Sequence, residues 1–219
     1  MTITTQGLLF DMDGVLVSSI GSVNRCWHRW CTLNHVPDPA AFEVPHGTRA
    51  LDIIRILKPE WNDAEVQAGL RQIEDLEIAD VADLRVLPGV KALLSALPPE
   101  RWAIVTSATH RLLTARLKAA GLPIPERLIT GEMVTRGKPD PEPYRRGAEL
   151  LGLTPADCIV VEDAPSGVGA GIAAGSRVLA VLTTHSPSEL SAATWRLGSL
   201  ADLHVTQTPA GLVLQPSSL

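Results

Sequence analysis

The stretch LLFDMDG, residues 8–14, decides the fold of this chain of 219 residues. Its three apolar residues follow a glycine and run directly into two acids, a pattern typical of a short buried strand that ends at polar side chains. Similar apolar runs occur later, at residues 102–106, 127–130, 158–161 and 177–182. The sequence therefore predicts a sheet built from short buried strands.

Helical periodicity separates the later strands along the chain. It predicts helices over residues 109–120, 141–151 and 165–174, and a further helix that begins at residues 186–189. Strands that alternate with helices form βαβ units, in which the strands are parallel and the helices cover both faces of the sheet. We expect an α/β fold of this kind.

The gap between the first two strands is too long for a simple connection. About 90 residues separate them, whereas a βαβ unit needs only about 30. A helix at residues 89–98 leads into the second strand, so the remainder of the gap is an insert of helical character that includes a capping box, Asn62-Asp-Ala-Glu65. We expect a core of residues 1–16 and 87–205, a helical cap of residues 17–86, and a loose tail of residues 206–219.

One apolar stripe in the insert contains two tryptophans. Val23, Trp27, Trp30 and Leu33 recur at helical spacing. Such a stripe is typical of a helix that buries one face against its neighbours. We therefore interpret Trp27 and Trp30 as the core of the cap, in preference to a platform on which a sugar would stack.

Charge and cysteine content limit the possible partners. The chain carries 19 basic and 24 acidic residues, a net charge of −5, and its pI is about 5.7. A mildly acidic protein is a poor general ligand for nucleic acid or anionic membranes. The three cysteines do not form a disulfide framework, and no apolar stretch approaches the roughly 20 residues of a membrane span. We expect a cytoplasmic monomer that binds neither nucleic acid nor membrane.

Polar residues follow the predicted strands at the edge where ligands bind in a parallel sheet. Taken singly, each is ambiguous, because acids and hydroxyl residues after strands commonly cap helices or turns. Together they place several acids at one rim, which is costly unless a cation compensates, and oxygen ligands favour Mg²⁺. The residues are Asp11, Asp13, Thr106, Ser107, Lys138, Glu162 and Asp163.

The combined set resembles the haloacid dehalogenase-like phosphohydrolases from Leu8 to about Leu182. Four motifs occur in the order typical of that family: FDMDGVL (10–16), VTS (105–107), GKPDPEPY (137–144) and VVEDAPSG (160–167). The resemblance implies a Rossmann-like core with a parallel sheet, and it identifies the insert as the family's α-helical cap.

Two further phrases narrow the resemblance. PHGTRALD (45–52) and DAPSGVGAG (163–171) are most similar to the branch that hydrolyses glycerol 3-phosphate, 2-deoxyglucose 6-phosphate and related small sugar or polyol phosphates. The resemblance therefore implies a small phosphorylated sugar or polyol as the substrate.

The resemblance implies a role for each residue at the rim. Asp11 is the nucleophile that forms an aspartyl-phosphate, and Asp13 protonates the leaving alcohol and then activates water. Mg²⁺ is held by Asp11, the Asp13 backbone carbonyl and Asp163, with Glu162 supporting the metal shell. The phosphoryl oxygens are bound by Thr106, the Ser107 amide and Lys138.

The cap is expected to provide selectivity. In the branch that this chain resembles, His46, Gly47 and Arg49 lie on a cap loop that faces the site. We hypothesise that Arg49 contacts the substrate, with His46 and Asp52 as weaker candidates. The alternative is that Arg49 is simply an exposed residue in the first turn of a helix over residues 48–57, and the sequence leaves both interpretations open.

Three other functions compete with a phosphatase. A β-phosphoglucomutase-like mutase is expected to carry a cap histidine twelve residues beyond the nucleophile, where this chain has Val23. A dehalogenase lacks the second acid, so Asp13 argues against it. A non-catalytic binding module on the same scaffold predicts a broken motif, and all four motifs are intact. We therefore expect a Mg²⁺-dependent phosphatase.

Overall fold

The computed structural model describes residues 2–217. The strands are β1 Ile3–Thr5, β2 Gly7–Phe10, β3 Val17–Ser18, β4 Arg85–Val86, β5 Trp102–Val105, β6 Leu128–Ile129, β7 Cys158–Glu162, β8 Arg177–Val181, β9 Trp195–Leu197, β10 Leu203–Thr208 and β11 Gly211–Pro216. The α-helices are α1 Ile20–Leu33, α2 Ala50–Leu57, α3 Asp63–Ala79, α4 Val90–Ala96, α5 His110–Ala120, α6 Glu142–Leu150 and α7 Pro165–Ala174. None of these helices is long and apolar enough to cross a membrane.

Six strands form the central parallel sheet, in the order β6-β5-β2-β7-β8-β9. The strand β2 lies in the middle, and the chain extends the sheet first to one side of it and then to the other. This reversal of strand order creates a switch point at the carboxyl end of β2, where ligands bind in such folds. The predicted α/β fold is confirmed.

Helices cover both faces of this sheet because its strands are buried on both faces. All four residues of β2 are buried. Leu8 and Phe10 pack in one cluster with Leu113 and Leu117 of α5. Leu9 points to the opposite face and packs in a second cluster with Tyr144 of α6. The period-two alternation along β2 thus joins two hydrophobic layers through one strand.

The helices α1, α2 and α3 form a separate cluster above the carboxyl edge of the sheet. They lie between β3 and β4, which pair antiparallel where the chain leaves and re-enters the core. Trp27 and Trp30 are buried in this cluster, so their interpretation as cap core is confirmed. The predicted capping box is also present, because Asn62 and Glu65 each accept a hydrogen bond from the other's backbone amide.

Two expectations for the C-terminal part are wrong. Within the part expected as a loose tail, residues 206–217 are not loose: β10 and β11 form an antiparallel hairpin, and β11 also pairs with β1. The alternation of Leu212 and Leu214 explains the strand, since both side chains are buried against the core. Residues 218–219 lie outside the described residues. The helix expected at residues 186–189 is absent from the described chain, because its hydrogen bonds close only single turns.

Candidate active site

The carboxyl edge of the parallel sheet brings the predicted residues together. Asp11 directly follows β2, Thr106 directly follows β5, and Glu162 is the last residue of β7. A cavity opens above this edge, between the core and the cap. On the core side it is lined by Asp11, Asp13, Thr106, Ser107 and Asp163.

Lys138 lies behind Asp11 and is almost fully buried. Its ammonium group donates to Asp11 Oδ1 at 2.8 Å, to Glu162 Oε1 at 2.6 Å and to the Val105 carbonyl oxygen at 3.1 Å. These three bonds engage all three of its donors. The two carboxylates raise the pKa of Lys138 against the opposing effect of burial, so the group stays charged. Lys138 therefore holds the Asp11 carboxylate in place.

Glu162 is completely buried and accepts four hydrogen bonds. Lys138 and the Tyr144 hydroxyl donate to Oε1, and the backbone amides of Asp163 and Ala164 donate to Oε2. A Cβ atom at residue 167 would overlap this carboxylate, which explains the glycine in the fourth motif. Because both oxygens of Glu162 are engaged within the protein, its geometry suits a supporting role beside the other acids.

Three carboxylates are crowded at this edge. Ligand oxygens of Asp11, Glu162 and Asp163 lie within 4.8 Å of one another. Burial raises the pKa of Asp11 to about 7, although the Lys138 ammonium opposes this change. Burial and the neighbouring Glu162 and Asp11 raise the pKa of Asp163 well above its usual range. One ammonium does not balance three acids, and a set of oxygen donors fits a hard divalent cation such as Mg²⁺.

The loop after β2 is shaped by a close approach to Asp163. Gly14 has a φ of +79°, a conformation that residues with a side chain rarely adopt. A Cβ atom there would also overlap the Asp163 carboxylate. Thr184 donates to Asp163 Oδ2 at 2.5 Å and so fixes the same carboxylate. Thr184 was not predicted from sequence, because it follows the β8 strand without any motif around it.

Asp13 faces the cavity and has partners that sequence reasoning missed. The Ser19 hydroxyl donates to Asp13 Oδ1 at 2.7 Å, and the buried Arg116 guanidinium donates to Oδ2 at 2.5 Å. Arg116 also lies 3.3 Å from Glu77 Oε2, on the cap helix α3. Burial raises the pKa of Glu77 to about 7, whereas Arg116 favours its ionised form.

A signal for the last two residues exists in the sequence. Arg116 lies on the buried face of α5, three residues after Leu113 and one before Leu117. Glu77 continues the stripe of Val66, Leu70 and Ile73 at helical spacing. A charged residue that is buried with an apolar stripe needs a partner of opposite charge. The two positions therefore indicated a buried ion pair.

The two predicted hydroxyl residues have different partners. Thr106 is buried, and its hydroxyl accepts a hydrogen bond from the Ala108 amide. The Ser107 hydroxyl donates to the carbonyl oxygen of Gly47, on the cap, at 2.6 Å. The N-cap of α5 is Thr109, not either of these residues. Ser107 therefore joins the core to the cap directly beside the cavity.

The three predicted cap residues lie at the contact between cap and core. The Ser166 hydroxyl donates to the backbone carbonyl oxygen of His46 at 3.1 Å. The His46 ring meets that of His185 edge to face at 5.9 Å between centroids. Burial and the nearby His185 lower the pKa of His46. Gly47 accepts the bond from Ser107. All three cap residues line the cavity.

Arg49 is buried and is not an exposed residue of a first helical turn. It is the N-cap of α2, and its guanidinium pairs with both oxygens of Asp52. The same guanidinium donates to the carbonyl oxygens of Val134 at 2.9 Å and Thr135 at 3.2 Å, in the core. Arg49 thus ties the cap to the core while it lines the cavity.

The cap side of the cavity is mostly apolar. Polar groups reach the cavity from the core edge, from the loop that carries His46, and from Gln67, Glu74 and Glu77 of α3. The apolar lining residues of the cap are Ile20, Val23, Trp27, Val44, Leu51, Ile53, Leu70 and Ile73.

Comparison with known proteins defines the family. Residues 5–175 match the model of the haloacid dehalogenase-like hydrolases. The chain is 40% identical over 211 residues to hexitol phosphatase A of Escherichia coli (strain K12), covering 95% of this chain and 98% of that protein. It is 31% identical over 203 residues to 2-deoxyglucose-6-phosphate phosphatase 1 of Saccharomyces cerevisiae, covering 83% and 82% of the two chains.

A solved structure of a hydrolase from Pseudomonas syringae shares the fold. It superposes with a TM-score of 0.80 at 24% identity, over 90% of this chain and 95% of that one. The chain is a hydrolytic enzyme with an α/β core and an acidic site at the carboxyl edge of its sheet. It belongs to the haloacid dehalogenase-like hydrolases, so the resemblance inferred from the four motifs is confirmed.

Proposed function

We propose that this phosphoric monoester hydrolase releases phosphate from small sugar or polyol phosphates, with Mg²⁺ and through an aspartyl-phosphate intermediate. The proposal rests on two carboxylates that line the same cavity: Asp11, which Lys138 holds in place, and Asp13. The names of the relatives support the substrate class, since one acts on hexitol phosphates and another on 2-deoxyglucose 6-phosphate.

The reaction proceeds in two displacements on one carboxylate. Asp11 attacks phosphorus, the bond to the leaving oxygen breaks, and Asp13 gives its proton to that oxygen. Asp13 then accepts a proton from water as the water attacks phosphorus and the bond to Asp11 breaks, which releases inorganic phosphate. A positioned acid or base of this kind contributes roughly 10²–10⁴-fold to the rate.

The remaining residues bind the phosphoryl oxygens and the cation. Thr106 and the Ser107 amide bind the phosphoryl oxygens, and Lys138 orients Asp11 while it brings positive charge to the same place. Asp11, the Asp13 backbone carbonyl and Asp163 would hold Mg²⁺, and Glu162 supports that shell through its contacts with Asp163. When bound, the cation neutralises the acids and polarises the phosphoryl group, so that one anion can attack another.

The test is a phosphate-release assay over a panel of phosphorylated sugars and polyols. We expect Mg²⁺-dependent release, abolished by EDTA and by Asp11→Asn, with a polyol or sugar phosphate as the best substrate. A nucleotide or a phosphoprotein as the best substrate would contradict the proposal. Conversion of glucose 1-phosphate to glucose 6-phosphate without free phosphate would identify a mutase, although Val23 lines the cavity at the position of the expected histidine.

The same panel decides what Arg49 does. Its contacts with core carbonyls favour a role in seating the cap, for which Arg49→Ala should raise KM by a similar factor for every substrate. A direct contact with the substrate, together with His46 and Gly47, predicts factors that differ from one substrate to the next. Unchanged kcat and KM across the panel would exclude both roles.

A further inference from the structure

A chain of charged side chains crosses the cavity wall from the cap to Asp13. Arg116 on α5 donates to Asp13 Oδ2 at 2.5 Å and lies 3.3 Å from Glu77 Oε2 on α3. On the cap side, Trp27 of α1 is buried in the cluster that α1, α2 and α3 form. All four residues line the cavity. None of the family's four motifs contains Arg116, Glu77 or Trp27.

The burial of this chain shows that it is more than a surface ion pair. The side chains of Arg116 and Glu77 are only 7% and 8% exposed. An apolar pair would pack at this interface at lower cost, because desolvating two charges is expensive. Contact between cap and core does not require it either, since Arg111 on the same α5 helix already pairs with Asp75 of the cap in solvent.

The distinctive partner of Arg116 is Asp13. Its guanidinium donates to Asp13 Oδ2 at 2.5 Å, whereas the nearest Glu77 oxygen lies 3.3 Å away, so Asp13 is the closer of its two acidic partners. That carboxylate is held at both oxygens, since Ser19 bonds Oδ1 at 2.7 Å. A guanidinium has donors only. The proton that Asp13 transfers as an acid therefore resides on Oδ1, whose remaining lone pair still accepts the hydrogen bond from the Ser19 hydroxyl.

We propose that Arg116 is a positioning residue that holds Asp13 in register with the leaving oxygen, and that Glu77 makes this position depend on a seated cap. The inference rests on the proposed function, because it assigns Arg116 to the acid–base half of that reaction. Proton transfer from Asp13 Oδ1 to the leaving oxygen creates a carboxylate that Arg116 stabilises. The same carboxylate then takes the proton of the attacking water.

The test uses two aryl esters that differ in their need for an acid. Phenolate leaves phenyl phosphate poorly without a proton, whereas dinitrophenolate leaves 2,4-dinitrophenyl phosphate without one. The parameter kcat/KM covers binding and the first displacement only, so it isolates the acid step. We expect Arg116→Met to lower kcat/KM roughly 10–100-fold for phenyl phosphate, the loss typical of a misplaced group. For 2,4-dinitrophenyl phosphate we expect little change.

A second measurement follows the base step in the same variant. With 2,4-dinitrophenyl phosphate, Arg116→Met should release about one equivalent of dinitrophenolate in a burst, because hydrolysis of the aspartyl-phosphate still needs Asp13 as base. Glu77→Gln should show the same selective loss to a smaller degree, and Arg116→Lys should restore part of the phenyl phosphate activity. These variants keep the test valid if Arg116→Met fails to fold.

Arg111→Met is the matched control. It removes an arginine from the same helix that also pairs with cap acids but does not touch Asp13, and we expect both substrates to respond equally. An equal loss of kcat/KM for both esters in Arg116→Met would show that Arg116 is only a structural contact between cap and core. Unchanged kcat/KM would show that Arg116 does not position Asp13. If the wild-type enzyme releases phosphate from neither these esters nor any sugar or polyol phosphate of the panel, the proposed function itself is wrong.

Discussion

Replacing Lys138 with methionine removes the one cation that touches two of the three crowded acids. Its ammonium lies 2.8 Å from Asp11 Oδ1 and 2.6 Å from Glu162 Oε1. At an effective dielectric constant of about 20, each attraction at such distances is about 6 kcal/mol, and the cost of burying the ammonium offsets much of it. Removing one partner of a buried ion pair costs about 3–5 kcal/mol of stability in practice.

We therefore expect Lys138→Met to lower the free energy of unfolding by about 3–5 kcal/mol. That is a large share of the roughly 5–15 kcal/mol that stabilises a typical domain. Urea unfolding without Mg²⁺ measures the loss directly. Adding millimolar Mg²⁺ should stabilise the variant more than the wild type, because a divalent cation neutralises the same acids and binds only the folded site.

Lys118→Met is the control, because Lys118 is exposed on α5 and its replacement should change stability by less than about 0.5 kcal/mol. A loss in Lys138→Met no larger than in this control would refute the view that Lys138 is the counter-ion of the site. No stabilisation of either protein by Mg²⁺ would refute the view that the three carboxylates form the cation site.

Two further predictions concern the close contacts around the site. Gly167→Ala should lower both the melting temperature and kcat, because its Cβ would displace Glu162, whereas Gly169→Ala, where the nearest atom is 3.8 Å away, should leave both nearly unchanged. The pKa of His46 is lowered below 6.5 by burial and by a nearby imidazole. Below that pH the unfolded chain binds this proton more readily than the folded one, so stability falls as pH drops. Melting curves from neutral pH to about pH 5 should show a smaller fall for His46→Asn, and parallel curves would contradict this cause.

The parallel sheet and its functional edge could be predicted because their signals are local. Apolar runs of four or five residues mark strands that are buried on both faces, and acids directly after them mark the carboxyl edge. The C-terminal hairpin was missed for the opposite reason. Its proline, serine and glutamine content suggested a loose tail, but Leu212 and Leu214 alternate toward the core and β1 supplies a partner strand from the other end of the chain.

The cap residues show where periodicity stops being informative. The apolar stripes of the cap helices correctly placed Trp30 in the core of the cap. The stripe of α3 also contains Glu77, and its charge does not show from sequence whether this position is buried or exposed. Arg49 occupies a similar intermediate place, since it was predicted either to contact substrate or to be exposed. The structure buries it against carbonyl oxygens of the core loop, which excludes the exposed position, while contact with the substrate stays a prediction. That loop has no sequence pattern that indicates a partner.

Local sequence patterns were enough to identify the family, five of the six strands of the parallel sheet, and the acids that meet at its edge. The contacts of those acids became known only from the folded chain. Lys138 reaches Asp11 across 127 residues, and Arg116 reaches Asp13 across 103. Such pairs form only where the packing of loops and helices brings distant segments together at the edge of an open sheet. A buried charge has no local pattern that indicates its distant partner.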